Sequence, residues 1–382
     1  MDLRPTWVEV SRTALRHNFR TIQDYVAPEA TVCAVVKADA YGHGAVECAL
    51  ALEAEGATWF GVTSTGEGVT LREGGVQGRI LLMTGFWRGE EEAILRYKLT
   101  PAVWDWNHIE LLESAAEKVG ASEPVQVHLK IDSGMARLGI SIADLPAFAK
   151  VLSTTQHVFL EGAFSHLASS EIVDAPDVES QITCFDRALG MLGEAGLYPA
   201  WIHLANSAAI VTQPRARKNM VRPGISLYGY YLPFSSIISH APDSSHELPV
   251  KPVLSWKTRI ISLRDVGARQ PVGYNGAYIT QAPARIAALP VGYADGLSRQ
   301  LSSRGRVIVR DDYAAMVGNI SMDITLIDVT GIPGVEVGDE VILIGSRGKR
   351  AITAWDHASL AMTIPYEILT GLSKRLPRRY VE

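Results

Sequence analysis

Short apolar runs alternate with amphipathic stretches along the first 230 residues of the chain. This alternation is typical of parallel strands joined by crossover helices. The predicted strands lie at 32–36, 58–63, 79–83, 100–103, 125–131, 159–165, 201–205 and 221–227. Glycine repeatedly follows the predicted helices, as Gly120 and Gly196 do, which is typical of helix C-termini. These eight units predict an α/β fold, a (β/α)8 TIM-like barrel over residues 11–230.

A doubly wound sheet would give a similar alternation of strands and helices. No G-x-G-x-x-G motif follows the first predicted strand, however. The conspicuous polar residues also fall at the ends of several different strands, as the site residues of a barrel do. Both observations favour the barrel.

The pattern changes after Gly229. Residues 231–252 are rich in proline, serine and histidine and follow neither the helical nor the strand period, which indicates a linker or excursion. Residues 253–382 are then predicted to form a mainly β domain. Its strand-like runs start at Val253, Arg285, Arg306, Ile324 and Asp339. One helix is predicted near residues 356–363.

Composition and charge narrow the function classes. The 382 residues are 47% hydrophobic, enough for a substantial core, and a formal net charge of −5 gives no reason to expect nucleic acid or an anionic membrane as partner. Cys33, Cys48 and Cys184 lack metal-ligand spacing, so we expect no metal site and a reducing compartment. The chain shows no signal-peptide core and no apolar stretch of membrane-spanning length, which predicts a cytoplasmic protein.

The most informative segment is T-V-C-A-V-V-K-A-D-A-Y-G-H-G, which places Lys37 at the end of an apolar run. A desolvated lysine amine loses its proton readily and becomes a nucleophile. A neutral amine at the C-terminal end of a barrel strand suits a Schiff-base enzyme, whether the carbonyl belongs to the substrate or to pyridoxal phosphate. The alternative is a lysine that reaches solvent from a strand end.

This segment resembles the cofactor-lysine motif of alanine racemases, which are fold-type III pyridoxal phosphate enzymes. Further matches follow in family order along almost the whole chain. They are H-L-K-I-D-S-G-M-A-R-L-G at 128–139, N-S at 206–207, R-P-G-I-S-L-Y-G at 222–229, G-Y-N-G-A-Y at 273–278, V-G-Y-A-D-G at 291–296, G-N-I-S-M-D at 318–323 and I-P-Y-E at 364–367. The resemblance implies pyridoxal 5'-phosphate as cofactor and interconversion of L-alanine and D-alanine, supplying D-alanine for peptidoglycan.

The resemblance also implies two catalytic bases. Lys37 carries the cofactor and moves a proton on one face of the substrate Cα, serving the D-enantiomer, while Tyr274 serves the L-enantiomer from the other face. Tyrosine is a poor base at its ordinary pKa of about 10, so it requires neighbours that stabilise the phenolate. His166 and Arg222 match the family positions for that support. The alternative for Tyr274 is a turn aromatic packed on Tyr278.

Arg222 matches the family residue at the pyridine nitrogen of the cofactor, where most pyridoxal phosphate enzymes place a carboxylate. Arginine stays charged and only donates, so the nitrogen stays unprotonated and the ring withdraws electrons less strongly. Reprotonation at Cα is thereby favoured over decarboxylation or transamination. The surrounding M-V-R-P-G-I-S-L-Y-G is otherwise apolar, which argues against a surface position.

The resemblance assigns the remaining barrel residues by their positions in the motifs. The implied phosphate-binding residues are Tyr41, Ser207, Gly224, Ile225 and Tyr366. Arg137 corresponds to the arginine beside the phenolic oxygen of the cofactor and the substrate carboxylate. Lys130 corresponds to a lysine that is carbamylated in many members and then orients that arginine.

The resemblance further implies a homodimer with two composite sites, each built from one barrel and the partner's β domain. Met322 and Asp323 match a segment that reaches the substrate from the partner subunit, and Tyr274 would come from the same side. Tyr293 matches a gate tyrosine of the access corridor. Residues 1–10 would form a strand of the β domain.

Two positions depart from the family pattern. Many members have arginine where this chain has Asn319 and glutamine where it has Ile324, so the polarity of the corridor differs. A broad-specificity or serine-preferring racemase is therefore an alternative. A basic-amino-acid decarboxylase on the same scaffold would place an acidic residue at the pyridine nitrogen, which Arg222 opposes. A non-enzymatic pyridoxal phosphate carrier would leave the β domain unexplained.

Overall fold

The structure, a computed structural model, describes residues 4–237 and 244–382. The chain divides into two compact units. The barrel unit contains Leu15–Ala40 and Ala45–Lys251, and the β unit contains the N-terminal residues to Ala14, Tyr41–Gly44 and Pro252–Glu382. Residues 238–243 of the predicted 231–252 linker lie outside the described residues, and a short 3-10 helix, Ser244–His246, follows them.

Eight parallel strands close the barrel. The first described elements are strand β1 (Thr6–Ser11) and helix α1 (Arg12–Val26). The barrel strands are β2 (Thr31–Val35), β3 (Trp59–Val62), β4 (Arg79–Leu82), β5 (Thr100–Val103), β6 (Val125–Lys130), β7 (Val158–Phe164), β8 (Trp201–Asn206) and β9 (Met220–Arg222). Strand β2 pairs with both β3 and β9, so the sheet has no edge. The predicted fold class is confirmed.

Helices follow the barrel strands. They are α2 (Lys37–Gly42), α3 (Ala45–Glu53), α4 (Thr65–Glu73), α5 (Glu91–Arg96), α6 (Trp106–Val119), α7 (Leu145–Leu152), α8 (Pro176–Glu194) and α9 (Ser207–Thr212). Helix α6 shows how the sequence sets their ends: the Asp105 carboxylate accepts from the Asn107 backbone N–H, and Gly120 ends the helix with a φ of 62°. These two caps fix the ends of α6 and so the points where its loops begin.

The last barrel strand is shorter than the sequence predicts. The predicted strand 221–227 is wrong beyond Arg222, because β9 ends there and residues Ile225–Tyr228 form a 3-10 helix. Pro223 has no N–H to donate to a neighbouring strand, so the ladder stops at the preceding residue. Arg222 therefore lies at the C-terminal end of the barrel.

The β unit is built on one large sheet. Its elements are β10 (Leu254–Arg259), β11 (Ser262–Val266), β12 (Pro271–Val272), β13 (Tyr278–Ile279), β14 (Ala284–Leu289), β15 (Arg306–Val309), β16 (Asp312–Met316), β17 (Thr325–Asp328), β18 (Glu340–Arg347), β19 (Arg350–Ile352), α10 (Ala354–Ala361), α11 (Pro365–Thr370) and β20 (Arg378–Val381). The strand order is β11-β14-β17-β16-β15-β18-β10-β1-β20, with β19 paired to β18. Strand β1 runs antiparallel to β10 and parallel to β20, so the N-terminal strand belongs to this sheet.

The predicted strand-like run from Val253 is divided in the structure. Strand β10 ends at Arg259, and β11 starts at Ser262. Between them the Ile260 N–H donates to the Asp339 carbonyl (3.0 Å) and the Ile261 N–H to the Ala288 carbonyl (2.9 Å). The chain therefore changes partners here, and one apolar run supplies two strands at different positions in the sheet.

Within the described residues, no helix combines the length and the apolar character needed to cross a bilayer. The same part of the chain contains no cluster of three or more histidine, cysteine, aspartate or glutamate side chains that could hold a metal ion.

Candidate functional site

Lys37 follows strand β2 at the C-terminal end of the barrel. The hydroxyl of Tyr228 donates to the Val35 carbonyl (2.9 Å), and the Val36 N–H donates to the Gly61 carbonyl (2.9 Å), so the backbone before Lys37 is held on two sides. Lys37 is half-buried, and burial, followed by the nearby Arg137 cation, lowers the pKa of its amine. Within the described residues no acceptor is hydrogen-bonded to its Nζ. The amine therefore has the properties of a nucleophile.

The backbone after Lys37 makes a left-handed helical turn. Ala38, Asp39, Ala40 and Tyr41 have φ values of 50°, 55°, 53° and 54°. Each such residue other than glycine costs roughly 1–2 kcal/mol, so four in succession concentrate strain beside the amine. The Ala38 N–H donates to Glu67 Oε1 (2.6 Å) and the Ala45 N–H to Asp39 Oδ1 (2.8 Å), which holds the turn. The sequence pattern did not predict this turn.

Glu67 is a residue that the sequence reasoning missed. Besides the Ala38 N–H, its carboxylate accepts from the N–H of Thr63 (2.8 Å) and from the Thr63 hydroxyl (3.1 Å). It thereby joins the end of β3 to the turn after β2. Its negative charge raises the pKa of Lys37, against the lowering caused by burial and by Arg137. A glutamate in the first turn of a surface helix gives no sequence signal for this role.

Arg222 is buried inside the barrel at the end of β9, with 4% of its surface exposed. Its guanidinium donates to His203 Nδ1 (2.6 Å), the Ser165 carbonyl (2.7 Å) and the Leu204 carbonyl (3.3 Å). Burial lowers its pKa to about 10. These bonds use three of the five N–H donors, and within the described residues no acceptor is bonded to Nε. A donor is therefore left for a group that the protein itself does not supply.

Four cationic side chains lie close together at this end of the barrel: Lys37, Lys130, Arg137 and Arg222. Each of them lowers the pKa of His166, of another member of the group, or of both. Lys130 is buried and donates to the Met83 carbonyl (3.0 Å), and burial together with the other three cations lowers its pKa to about 7. Burial and the same four cations lower the pKa of His166 to about 3, so its imidazole is neutral. Such a cluster is suited to an anionic ligand.

The loop that carries Arg137 is held from one aspartate. Asp132 Oδ1 accepts from the backbone N–H groups of Gly134 (3.0 Å), Met135 (3.0 Å) and Ala136 (3.1 Å). Arg137 itself is exposed, and no described residue bonds to its guanidinium. The loop therefore presents the positively charged guanidinium of Arg137 without a partner among the described residues.

Ser207, Gly224 and Ile225, three of the predicted phosphate-binding residues, lie together. The Ser207 hydroxyl accepts from the Gly224 N–H (2.9 Å) and from the Ser226 N–H (3.3 Å). Asn206 caps helix α9 through the Ala209 N–H (2.9 Å), which places Ser207 at the helix start, while Ile225 starts the 3-10 helix. Backbone donors at the start of the 3-10 helix thus meet a hydroxyl at the start of α9, a geometry suited to phosphate oxygens.

Tyr41 and Tyr366, the other two predicted phosphate-binding residues, are adjacent within the β unit. Their ring centroids are 5.8 Å apart at a 50° tilt. Tyr41 is buried, and burial, followed by Tyr366, raises the pKa of its hydroxyl, so it is protonated and can donate a hydrogen bond. Gly42 has a φ of 84°, and an added Cβ would lie 2.2 Å from the Leu369 carbonyl oxygen. This close approach fixes the end of the turn against α11.

Tyr274 lies in the β unit at the start of a 3-10 turn, Tyr274–Gly276. Its side chain is 69% exposed. Its backbone carbonyl accepts from Asn319 Nδ2 (3.3 Å), and no described residue bonds to its hydroxyl. The turn has Gly273 at a φ of 75° and Asn275 at 58°. Tyr274 is therefore displayed on a tight turn with a free hydroxyl.

Tyr293, Met322 and Asp323 are brought together by two loops of the β unit. The Tyr293 N–H donates to the Ser321 carbonyl and the Ala294 N–H to the Met322 carbonyl, both at 3.1 Å. Tyr293 and Met322 are 44% and 53% exposed. Backbone hydrogen bonds therefore hold the two loops together, and the side chains of Tyr293 and Met322 stay accessible.

Asp295 supports these loops and was missed from the sequence. It is fully buried and accepts from Arg4 Nη2 (2.8 Å), Arg375 Nε (2.7 Å) and the Gly292 N–H (3.0 Å). Arg375 also donates to Asp323 (2.8 Å). The acidic residue inside V-G-Y-A-D-G was a usable signal, because a lone aspartate between glycines in an apolar run often satisfies a turn.

Comparisons with known proteins agree over almost the whole chain. The family models described as alanine racemase, N-terminal domain, and alanine racemase, C-terminal domain, match residues 10–232 and 253–380. An alanine racemase of Syntrophobacter fumaroxidans is 40% identical over 97% of this chain and 96% of its own length.

Two solved structures illustrate the structural likeness. The alanine racemase of Clostridium difficile 630 has a TM-score of 0.92 at 33% identity, covering 99% of this chain and 96% of that one. A structure of the alanine racemase from Bartonella henselae, which has covalently bound pyridoxal phosphate, has a TM-score of 0.85 at 30% identity and covers 99% of both chains.

Proposed function

Because the chain belongs to the alanine racemase family, whose members are isomerases, we propose that it interconverts L-alanine and D-alanine with pyridoxal 5'-phosphate bound at Lys37. The observation that carries the proposal is the half-buried Lys37 amine, which has a lowered pKa and no hydrogen-bonded acceptor within the described residues, among three further cations. An amine of this kind forms a Schiff base readily.

The described residues fit the cofactor. Pyridoxal phosphate carries a phosphate, a phenolic oxygen and a ring nitrogen besides its aldehyde. The hydrogen-bond donors around Ser207 suit the phosphate, and the exposed Arg137 cation suits the phenolic oxygen. Arg222 has an unused Nε–H that suits the ring nitrogen as an acceptor. When bound, the cofactor supplies the electron sink that makes a substrate Cα proton removable.

The protein supplies the proton transfers. We assign Lys37 Nζ as the base on the face that serves D-alanine and Tyr274 Oη as the base on the other face. Burial and the Arg137 cation lower the pKa of Lys37 and so keep its amine closer to neutrality, which a base requires. Arg137, free of protein partners in the described residues, is proposed to orient the substrate carboxylate.

Arg222 supports racemisation rather than decarboxylation. No described carboxylate forms an ion pair with it, and its position at the ring nitrogen would put a permanent donor where a decarboxylase needs an acid. The cofactor would then withdraw electrons only weakly. Rapid return of a proton to Cα is therefore the favoured outcome.

We also propose that Tyr274, Met322, Tyr293 and Asp323 act at the barrel of a partner subunit in a homodimer. Tyr274 and Met322 are 69% and 53% exposed, so both side chains are accessible to a second subunit. The proposed role is supply of D-alanine for peptidoglycan in the cytoplasm.

The proposal can be tested on the full-length protein loaded with pyridoxal phosphate. Borohydride reduction followed by peptide mapping is expected to place the cofactor on Lys37, and chiral chromatography is expected to show D-alanine formed from L-alanine. Lys37→Ala should abolish both, whereas the matched variant Lys98→Ala at an exposed lysine should abolish neither.

Other outcomes would replace the proposal with one of its rivals. Faster D-serine than D-alanine formation would indicate a serine-preferring enzyme, and carbon dioxide release from L-lysine a decarboxylase. Attachment at Lys37 without any turnover would indicate a carrier.

A further inference from the structure

A chain of buried polar side chains runs through the barrel from Arg222. Arg222 Nη1 lies 2.6 Å from His203 Nδ1, and His203 Nε2 lies 2.8 Å from His128 Nδ1. Both imidazoles have no exposed surface. Beyond them, His128 Nε2 lies 3.6 Å from Glu161 Oε2, and the Glu161 carboxylate is held by the guanidinium of Arg79.

The permanent donor at one end fixes the proton positions along this chain. Arginine only donates, so His203 Nδ1 accepts and the ring proton of His203 is on Nε2. His203 then donates to His128 Nδ1, which leaves the ring proton of His128 on Nε2, facing Glu161. A carboxylate at that point favours this tautomer, because it attracts an N–H and repels a lone pair.

The packing around the two imidazoles holds them in this arrangement. The His203 ring stacks on Phe164 at 4.7 Å with a 4° interplanar angle. The His128 ring lies 5.2 Å from Trp59, and Gly162 leaves it space, since an added Cβ would lie 2.6 Å from the ring. Burial lowers the pKa of both imidazoles, which supports their neutral form.

We propose that Glu161 is a positioning residue for Arg222 and acts through His128 and His203. Its carboxylate favours the same tautomers of His128 and His203 that the donor Arg222 requires. This agreement at both ends holds the guanidinium of Arg222 in one orientation. With the guanidinium held in this way, the unused Nε–H of Arg222 keeps a single orientation. This inference rests on the proposed function only in the consequence for turnover, where Arg222 faces the ring nitrogen of the cofactor.

The first test measures the protonation of the two buried histidines directly and needs no catalysis. Nitrogen NMR of histidine-labelled full-length protein, without and with pyridoxal phosphate, reports which ring nitrogen of each imidazole is protonated. We expect His203 and His128 to carry their protons on Nε2 in both samples. A proton on Nδ1 of either residue would overturn the proposal.

The second test removes the charge at the far end of the chain. Glu161→Gln keeps the side-chain shape and is expected to shift the ring nitrogen signals of His128 and His203. In the loaded enzyme, kcat for alanine should fall roughly 2- to 30-fold, the range for mutations along a coupled network. KM should stay unchanged, because Glu161 touches no substrate.

A matched control separates this effect from the loss of an ion pair. Glu55 is also held by an arginine, Arg20, but contacts no histidine. Glu55→Gln makes the same change in net charge and should alter neither the histidine signals nor kcat. Unchanged histidine signals in Glu161→Gln would contradict the proposal, and so would an equal loss of kcat in Glu55→Gln.

The outcomes also distinguish this inference from the proposed function. If the wild-type protein fails to racemise alanine, the proposed function fails, while the histidine signals still decide whether Glu161 controls the chain. If wild type racemises and Glu161→Gln changes neither the signals nor kcat, only the positioning role fails.

Discussion

Lys130 shows how burial and neighbouring cations change the pKa of a single side chain in the barrel. It is 5% exposed, close to other cations, and its amine bonds only to the carbonyl of Met83 within the described residues. Burial and the cations Arg222, Arg137 and Lys37 lower its pKa from 10.5 to about 7. A substantial fraction of the amine is therefore neutral near pH 7, the form that reacts with carbon dioxide. The carbamylation implied by family resemblance is chemically accessible here.

Lys130→Met is expected to change the pH dependence of stability. Between pH 7 and 10.5 the unfolded chain binds the Lys130 proton more tightly than the folded protein, so this group makes folding stability rise with pH across that window. The substitution should flatten this rise. The measurement is urea unfolding of cofactor-free protein in buffers free of carbon dioxide, from pH 7 to 9.5. Lys150→Met, at an exposed lysine, is the control, and an undiminished slope in Lys130→Met would contradict the account.

Single residues differed in how far the sequence predicted them. Lys37 and Arg222 stand out because each is a cation inside an apolar run, and the structure places both at the barrel end. Glu67 did not stand out, because the Ala38 N–H that it binds is distant in sequence. Asp295 was missed although its place between glycines in an apolar run was a usable signal. His203 lies within the apolar run W-I-H-L-A, and this buried-looking histidine was a sequence signal that was missed.

The left-handed turn after β2 is the feature of greatest consequence at the level of elements. Four non-glycine residues share φ values near 50°, and hydrogen bonds from backbone N–H groups to the Glu67 and Asp39 carboxylates hold them. The turn carries the chain from Lys37 in the barrel unit to Tyr41 in the β unit. Its strain is localised where the proposed cofactor binds, as is common at functional sites.

Substitutions at Ala38 test that strain, because its side chain is exposed and has no packing to lose. Ala38→Gly should stabilise the fold by roughly 1 kcal/mol, since glycine adopts a positive φ without steric cost. Ala38→Val should destabilise it by about 1–3 kcal/mol and reduce cofactor occupancy. Denaturant unfolding and cofactor absorbance measure the two effects.

Ala147→Val provides the control, in an exposed position of the right-handed helix α7. It should cost only the modest helix propensity of valine, below about 1 kcal/mol. Equal losses in the two valine variants would show that the turn after Lys37 is not strained.

Elements were predicted best where local sequence and fold agree. Seven of the eight predicted barrel strands lie within about two residues of the observed bounds, because continuous apolar runs suit strands covered on both faces. The eighth failed at Pro223, where the apolar run I-S-L-Y continued as a 3-10 helix. Strand β16 was missed because D-Y-A-A-M owes its conformation to pairing with β15 across a turn at Arg310, which has a φ of 56°.

Catalysis by this protein is proposed to need two chains. The barrel unit contains Lys37, and the β unit displays Tyr274 with a free hydroxyl among the described residues. If each site combines one barrel with the partner's β unit, two inactive variants should complement each other. Lys37→Ala and Tyr274→Phe proteins, dissociated and reassociated together, should recover roughly a quarter of wild-type activity, from random pairing in a symmetric dimer.

The control for complementation is each variant carried through the same treatment alone, which should stay inactive. Recovery that fails although mixed dimers are detected by mass spectrometry would contradict composite sites. Full activity of the wild-type protein as a monomer at high dilution would contradict them as well.

Racemisation by two bases on opposite faces of Cα is tested most directly by proton exchange in heavy water. Wild type given L-alanine should form D-alanine that carries deuterium at Cα. Tyr274→Phe given D-alanine should incorporate deuterium into D-alanine through Lys37 without forming L-alanine, while Tyr278→Phe should behave as wild type. Continued racemisation by Tyr274→Phe at the wild-type rate would contradict the account.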